Sequence, residues 1–297
     1  MKLKDKALLL SIDFSMPSGR KVDKKVSNDI ADQYNIAGGR RSAGNFNKIL
    51  IDSKYLKEPL RIKREVTNVF EKMTLPWLND GIAINLLPNS RFLEFSKVWR
   101  DAKTEMDQYL LNLERGLYDE MMKDGEDRLN GESSGLFSEY DYPPVESFVS
   151  KFKMEHFVRP VPDSDDLDLR IAVGASEAER IKNEVSDSID KQFEESRKAL
   201  CDRITEAVKH MNSVLSKDKP VIHETLMEKM SELVDILPEL NFSEDQELDG
   251  IRRLIKDELI EDVQTLRDDA TIQKDVLDST NDILSKMEKI YATREEA

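Results

Sequence analysis

SEAERIKNEVSDSIDKQFEESRKALCDRITEAVKHMNSVL, Ser176 to Leu215, sets Ile181, Val185, Ile189, Phe193, Leu200, Ile204, Val208, Met211 and Leu215 in one apolar stripe among mostly charged residues. Apolar residues recurring at threes and fours mark an amphipathic helix, here about forty residues long. The S-x-x-E pattern at Ser176–Glu179 is a capping box that opens it, and Pro220 breaks it. A stripe this narrow suits a seam of two or three helices better than a globular core. Such seams are often completed by a second copy. Ile181, Val185, Ile189, Phe193, Leu200, Ile204, Val208 and Met211 are therefore the expected interface of a homo-oligomer.

Three more helical stretches follow. Leu226, Met230, Leu233, Val234 and Leu237 line the first, which Pro238 is expected to end. The second is capped at Ser243–Gln246 and carries Leu248, Ile251, Ile255, Leu259, Val263 and Leu266. Ile272, Val276, Ile283, Met287 and Ile290 line the last. Residues 176–297 thus read as a domain of helical hairpins or coiled coil.

Upstream, residues 1–175 read as an α+β domain. Ala7–Ser15 is a strand ended by the turn MPSGRK, and Val22, Val26 and Ile30 share a helix face. NKILIDSKYLKEP fits helix or strand equally. Pro59 suits a first helical position, followed by the stripe Ile62, Val66, Val69, Phe70 and Met73. TLPWLNDGIAINLLPNS is a connector too apolar for a bare loop and is expected to pack into the core. A helix over about 90–122 would make a rod of roughly 45 Å. KFKMEHFV and LDLRIAV alternate as two strands of a hairpin over about 152–173, with the first strand as a third partner. The fold class is mainly α: long amphipathic helices in a bundle or coiled coil, with a small antiparallel β-sheet.

Of 297 residues, 35% are charged and 7% aromatic, a balance that favours solvated helices over a sheet-rich enzyme. The single cysteine, Cys201, excludes an intramolecular disulfide and makes a cytoplasmic setting the default. The apolar run in MKLKDKALLLSIDFS is too short to span a membrane. Net charge is −15, yet residues 1–72 hold 16 Lys+Arg against 9 Asp+Glu. Three readings fit this asymmetry: a nucleic-acid-binding end on an acidic body, a basic end that docks on another copy, or charge kept for solubility.

The basic region centres on NIAGGRRSAGNFNK, Asn35–Lys48, which contains no acid. Glycines let backbone N–H groups approach a phosphate, and arginines supply charge. Arg20, Lys21, Lys24, Lys25, Arg40, Arg41 and Lys48 are the candidate nucleic-acid contacts, here DNA, with Tyr34 or Phe46 available to stack on a base. A solvated basic connector is the competing reading. The pattern is neither a Walker A loop nor G-x-G-x-x-G.

No catalytic, metal or cofactor site is expected. His156, His210 and His223 have no His or Cys at ligand spacing, and Cys201 has no adjacent His. DSDDLD, Asp163–Asp168, fails the EF-hand loop because Asp168 and Gly174 stand where Gly and Glu are required. Glu139 and Asp141 in SEYDYPP have no recognisable acid–base partner.

SIDFSMPSGRK, LPWLNDGIAINLLP, the Phe92/Phe95 helix, DYPP and RPVPDSDDLDLRIAV occur in the order of an uncharacterised family of phage and mobile-element proteins, which residues 8–175 resemble. The resemblance implies a role in the DNA metabolism of a phage or element, or in countering the host, because the family's genes often lie near AAA+ ATPase and recombination genes. An AAA+ ATPase or a host defence protein is then the expected macromolecular partner, and a non-enzymatic, self-assembling protein the expected function. An inhibitor of a host defence complex is the alternative, and a metal-dependent enzyme at Asp163–Asp168 the third reading.

Overall fold

The computed structural model of the chain describes residues 2–80, 82–130, 135–164 and 175–295. The first half contains β1 (Ala7–Ser15), β2 (Arg20–Asp23), α1 (Lys24–Gln33), α2 (Arg40–Ala43), β3 (Phe46–Ile49), α3 (Ser53–Met73), β4 (Leu75–Asp80) and β5 (Ile82–Pro88). It continues through α4 (Phe92–Asn112), α5 (Tyr118–Asn130), α6 (Val145–Val149) and β6 (Lys153–Pro160). The helices α7 (Ala175–Leu215), α8 (Glu224–Leu240), α9 (Gln246–Leu254), α10 (Val263–Asp268) and α11 (Ala270–Glu295) follow. The protein is mainly α with a small antiparallel sheet of order β4-β5-β1-β6 and a separate β2–β3 ribbon.

The chain forms two compact units. One comprises Met1–Ser11, Glu71–Leu93 and Phe157–Ala297, the other Ile12–Phe70 and Glu94–His156. The boundary between these units cuts β1, α3, α4 and β6.

In the first unit, β1 and β5 pair from Ala7↔Pro88 to Leu10↔Asn85. β4 pairs with β5 across a bulge between Pro76 and Leu78. The expected connector is therefore a β-hairpin. Its prolines concealed it: Pro76 lies on an edge strand, where a missing N–H is tolerated, and the bulge shifts the pairing register with β5. Leu75 and Trp77, two residues apart on one face of β4, are both buried.

α7 packs on β4, α8 and α11 of the same chain. From Leu200 to Met211 its stripe is consequently covered within the chain rather than left as a surface seam. Leu200, Ile204, Val208 and Met211 are almost wholly buried with Leu9, Trp77 and Leu86 of the sheet, Met230 and Leu237 of α8, and Ile283 and Met287 of α11. Ile189 and Phe193 are partly buried on this core, and Ile181 and Val185 are half-buried. The narrow stripe is completed by a sheet and two helices returning within one polypeptide. Arg203, also on α7, donates to the carbonyls of Glu71 (2.8 Å), Lys72 (3.0 Å) and Thr74 (2.7 Å), satisfying the open end of α3.

Pro238 does not end α8 but lies inside it. A proline leaves the carbonyl four residues earlier without its N–H donor. That carbonyl belongs to Val234 and accepts from the Arg252 guanidinium at 3.0 Å. Pro59 repeats the arrangement in the second unit. α3 begins at Ser53, six residues before the expected start, and the orphaned Tyr55 carbonyl accepts from the Tyr109 hydroxyl at 2.9 Å.

The rod expected over about 90–122 is interrupted. A π turn at Leu113–Leu117, with Gly116 at φ 125°, separates α4 from α5. Only glycine takes that backbone without strain. The third C-terminal helix is likewise divided, into α9, a π turn at Ile255–Leu259, and α10. It is capped by Asp245, whose carboxylate accepts from Glu247 and Leu248 N–H.

Aromatic contacts run through the second unit. Tyr118 meets Phe148, Phe148 meets Phe152, and Phe152 meets Tyr109, at centroid separations of 5.0, 5.5 and 5.8 Å. Trp99 packs on Phe14, Phe95 and His156. β6 is one arm of the expected hairpin, while the arm at residues 167–173 lies outside the described residues.

Candidate nucleic-acid interface

The basic segment folds as β2–α1–α2–β3, an antiparallel ribbon whose connection carries two helices. Asp23 caps α1 by accepting from Val26 N–H at 3.0 Å. The register opposes Arg20 to Ile49, Lys21 to Lys48, Val22 to Asn47 and Asp23 to Phe46. Successive side chains alternate between faces. Lys21, Asp23, Phe46 and Lys48 therefore share one face, and Arg20, Val22, Asn47 and Ile49 the other.

Two lysines directly opposed on a ribbon repel each other. Asp141 offsets this by binding Lys21 at 2.9 Å through Oδ1 and Lys48 at 2.8 Å through Oδ2. Lys48 also meets Asp23 at 2.8 Å and the Leu136 carbonyl at 2.9 Å. Its three ammonium protons thus have three acceptors, and only 9% of the residue is exposed. Lys48 departs from its expected role: it holds the ribbon to the 136–142 segment and is closed to an external phosphate. Its hydrogen bond, the largest influence on Asp23, holds that carboxyl below its usual value. Burial opposes ionisation of Asp141, but hydrogen bonds from Lys48 and Lys21 outweigh it and lower that carboxyl too. Burial likewise opposes the charge on Lys48, yet Asp141 and Asp23 raise its pKa.

The other cations stand differently. Arg20, Lys24, Lys25 and Arg41 are exposed and form no ion pair among the described residues. Arg40 is half-buried and donates to the Asn45 side chain at 2.9 Å. Lys24 and Lys25 occupy the first turn of α1, which has no acid, so they add to the positive end of the helix dipole. Gly38 and Gly39, at φ 89° and 59°, turn the chain into α2 ahead of Arg40 and Arg41. Of the aromatics expected to stack, Tyr34 is exposed and Phe46 half-buried.

Beside the ribbon is a cleft of about 390 Å³ lined by Pro17–Lys21, Leu50, Ile51, Tyr118, Tyr140–Pro143, Phe148 and Lys151. It brings together SMPSGRK and DYPP, which lie about 120 positions apart in the sequence. Its inner polar atoms are satisfied by backbone. Tyr118 donates to the Pro143 carbonyl at 2.6 Å, and Tyr142 to the Leu50 carbonyl at 2.8 Å. Gly125 makes room for the second contact, because a Cβ there would lie 2.0 Å from the Tyr142 hydroxyl oxygen. At the rim, Tyr140 is 97% exposed. Sequence reasoning missed Tyr140 and Lys151. Tyr140 sat among loop residues with no recognisable partner, and the only available signal was an aromatic between two acids.

The remaining candidates do not assemble a reaction centre. His156 is half-buried against Trp99, and burial lowers its pKa. Cys201 is buried in the core of the first unit, and His210 and His223 are exposed. Asp163 pairs with Lys2 and Lys4 at 2.9 Å each, while Asp165, Asp166 and Asp168 lie outside the described residues. Among the described residues no three His, Cys, Asp or Glu side chains gather in a metal-binding arrangement, and no helix is long and apolar enough to cross a membrane. The chain matches no protein-family model, no curated protein and no solved structure.

Proposed function

We propose that the chain is a non-enzymatic phage or mobile-element protein that contacts nucleic acid through its β2–α1–α2–β3 module. The observation that carries this reading is the division among the module's cations. Lys21 and Lys48 are bound by the protein's own carboxylates, whereas Arg20, Lys24, Lys25 and Arg41 remain exposed and unpaired among the described residues. Unneutralised cations on a chain of net charge −15 concentrate positive potential in one place. Phosphates are the anions that such a surface recognises without a shaped pocket. Self-assembly in the same role would use the start of α7, where Ile181 and Val185 are not fully covered.

Anisotropy of labelled single- and double-stranded DNA across a salt series tests the proposal. Binding is expected at low salt, with log K falling linearly against log salt by about 0.7–0.9 per phosphate contact. The double substitution Arg40→Glu and Arg41→Glu is expected to abolish it. Absence of binding by the unsubstituted chain at low salt would overturn the reading.

A further inference from the structure

The cleft beside the ribbon has the composition of a nucleotide subsite. Its volume of about 390 Å³ lies within the range of small-molecule sites, roughly 300–1,000 Å³. Its apolar lining comes from Leu50, Ile51, Pro143 and Phe148, and the hydroxyls of Tyr118 and Tyr142 are already donating to backbone. Ser18 and the Asp141 carboxylate also line the cleft, Arg20, Lys21 and Lys151 bring cations to it, and Tyr140 brings an almost fully exposed ring. Lys21 is shared with Asp141, but Arg20 and Lys151 form no ion pair among the described residues. Cations that follow a backbone, combined with an aromatic face for a base, make up the chemistry of single-strand binding. A duplex keeps its bases stacked inside and presents no ring to such a cleft.

We infer that this cleft holds one nucleotide of single-stranded nucleic acid, with its base against Tyr140 and its phosphate at Arg20 and Lys151. The inference rests on the reading above and narrows it from nucleic acid in general to a single strand.

The test compares labelled oligo(dT) with a duplex of the same length, using the whole chain and its Tyr140→Ala, Tyr140→Phe and Lys151→Glu variants. Tyr140 and Lys151 are exposed, so unchanged melting temperatures are expected. Loss of one base–aromatic stack corresponds to about 5- to 150-fold weaker binding. Tyr140→Ala should weaken oligo(dT) by that factor and leave the duplex unaffected. Tyr140→Phe should bind as the unsubstituted chain does, and Lys151→Glu should weaken oligo(dT). Equal oligo(dT) affinity in the unsubstituted and Tyr140→Ala chains overturns the inference, while binding that Arg40→Glu/Arg41→Glu still abolishes preserves the broader reading. If the unsubstituted chain binds neither probe, both fall.

Discussion

Pro59 and Tyr109 act together although 50 positions separate them. The proline removes the N–H that would satisfy the Tyr55 carbonyl, and the tyrosine hydroxyl supplies a replacement. Removing that donor leaves a buried acceptor unmade, so Tyr109→Phe is expected to cost about 1–3 kcal/mol. In a Pro59→Ala background, residue 59 regains its N–H and Tyr109→Phe should cost markedly less. A double-mutant cycle by urea unfolding measures the difference; equal costs in both backgrounds would show that the pair is uncoupled. The sequence displayed both prolines, and the usual rule placed Pro59 at a helix start and Pro238 at a helix end. Neither position was right, because a donor from another helix can relieve an interior proline. Composition and spacing give no trace of such a donor, here Tyr109 for one helix and Arg252 for the other.

Among the elements, the β2–β3 ribbon depends on a charge that the sequence showed without its partners. Asp23 and Asp141 have lowered pKa values, so their contribution is present above the unfolded value of about 3.9 and is lost as pH falls through the folded values. Lys48 has a raised pKa, so its contribution is present below about 10.4 and is lost as pH rises through the folded value. Protection of β2 and β3 amides from hydrogen exchange, taken relative to the intrinsic rate at each pH, should therefore be greatest between those limits and fall below about pH 4. Lys48→Met should lower it at neutral pH, because Asp141 and Asp23 lose their shared cation; unchanged protection would show that Lys48 is not the tie. The cations of the candidate site were legible one by one. Their neutralisation was not, since Asp141 lies 120 positions from Lys21 and 93 from Lys48. Longer periodic helices were legible as helices, but their interruptions were not. Gly116 reads as a tolerated helix residue until its φ of 125° is known. The β4–β5 hairpin stayed hidden because two prolines and a bulge disguised its pairing.

For the molecule as a whole, the clearest sequence signal was read correctly as a helix and assigned the wrong covering. The α7 stripe looked incomplete because its partners, the sheet and α11, come from distant parts of the chain. Leu200→Ala is accordingly expected to destabilise the fold by about 2–5 kcal/mol, as a cavity in a chain's own core does. Light scattering of this variant under native conditions should give the same mass as the unsubstituted protein; a fall in mass would return Leu200 to an interface between copies. The way the boundary divides the chain also bears on synthesis. Every piece of the unit Ile12–Phe70 with Glu94–His156 has been made before residue 157 is added. β1 is translated well before α7 and α11, with whose apolar residues Ala7 and Leu9 share one core. At about 5–20 residues per second, the interval from β1 to the end of α11 is roughly 15–60 s. For that time its apolar residues must be sheltered by β5 or by a chaperone, so slowed translation after α6 should raise the nascent chain's dependence on one.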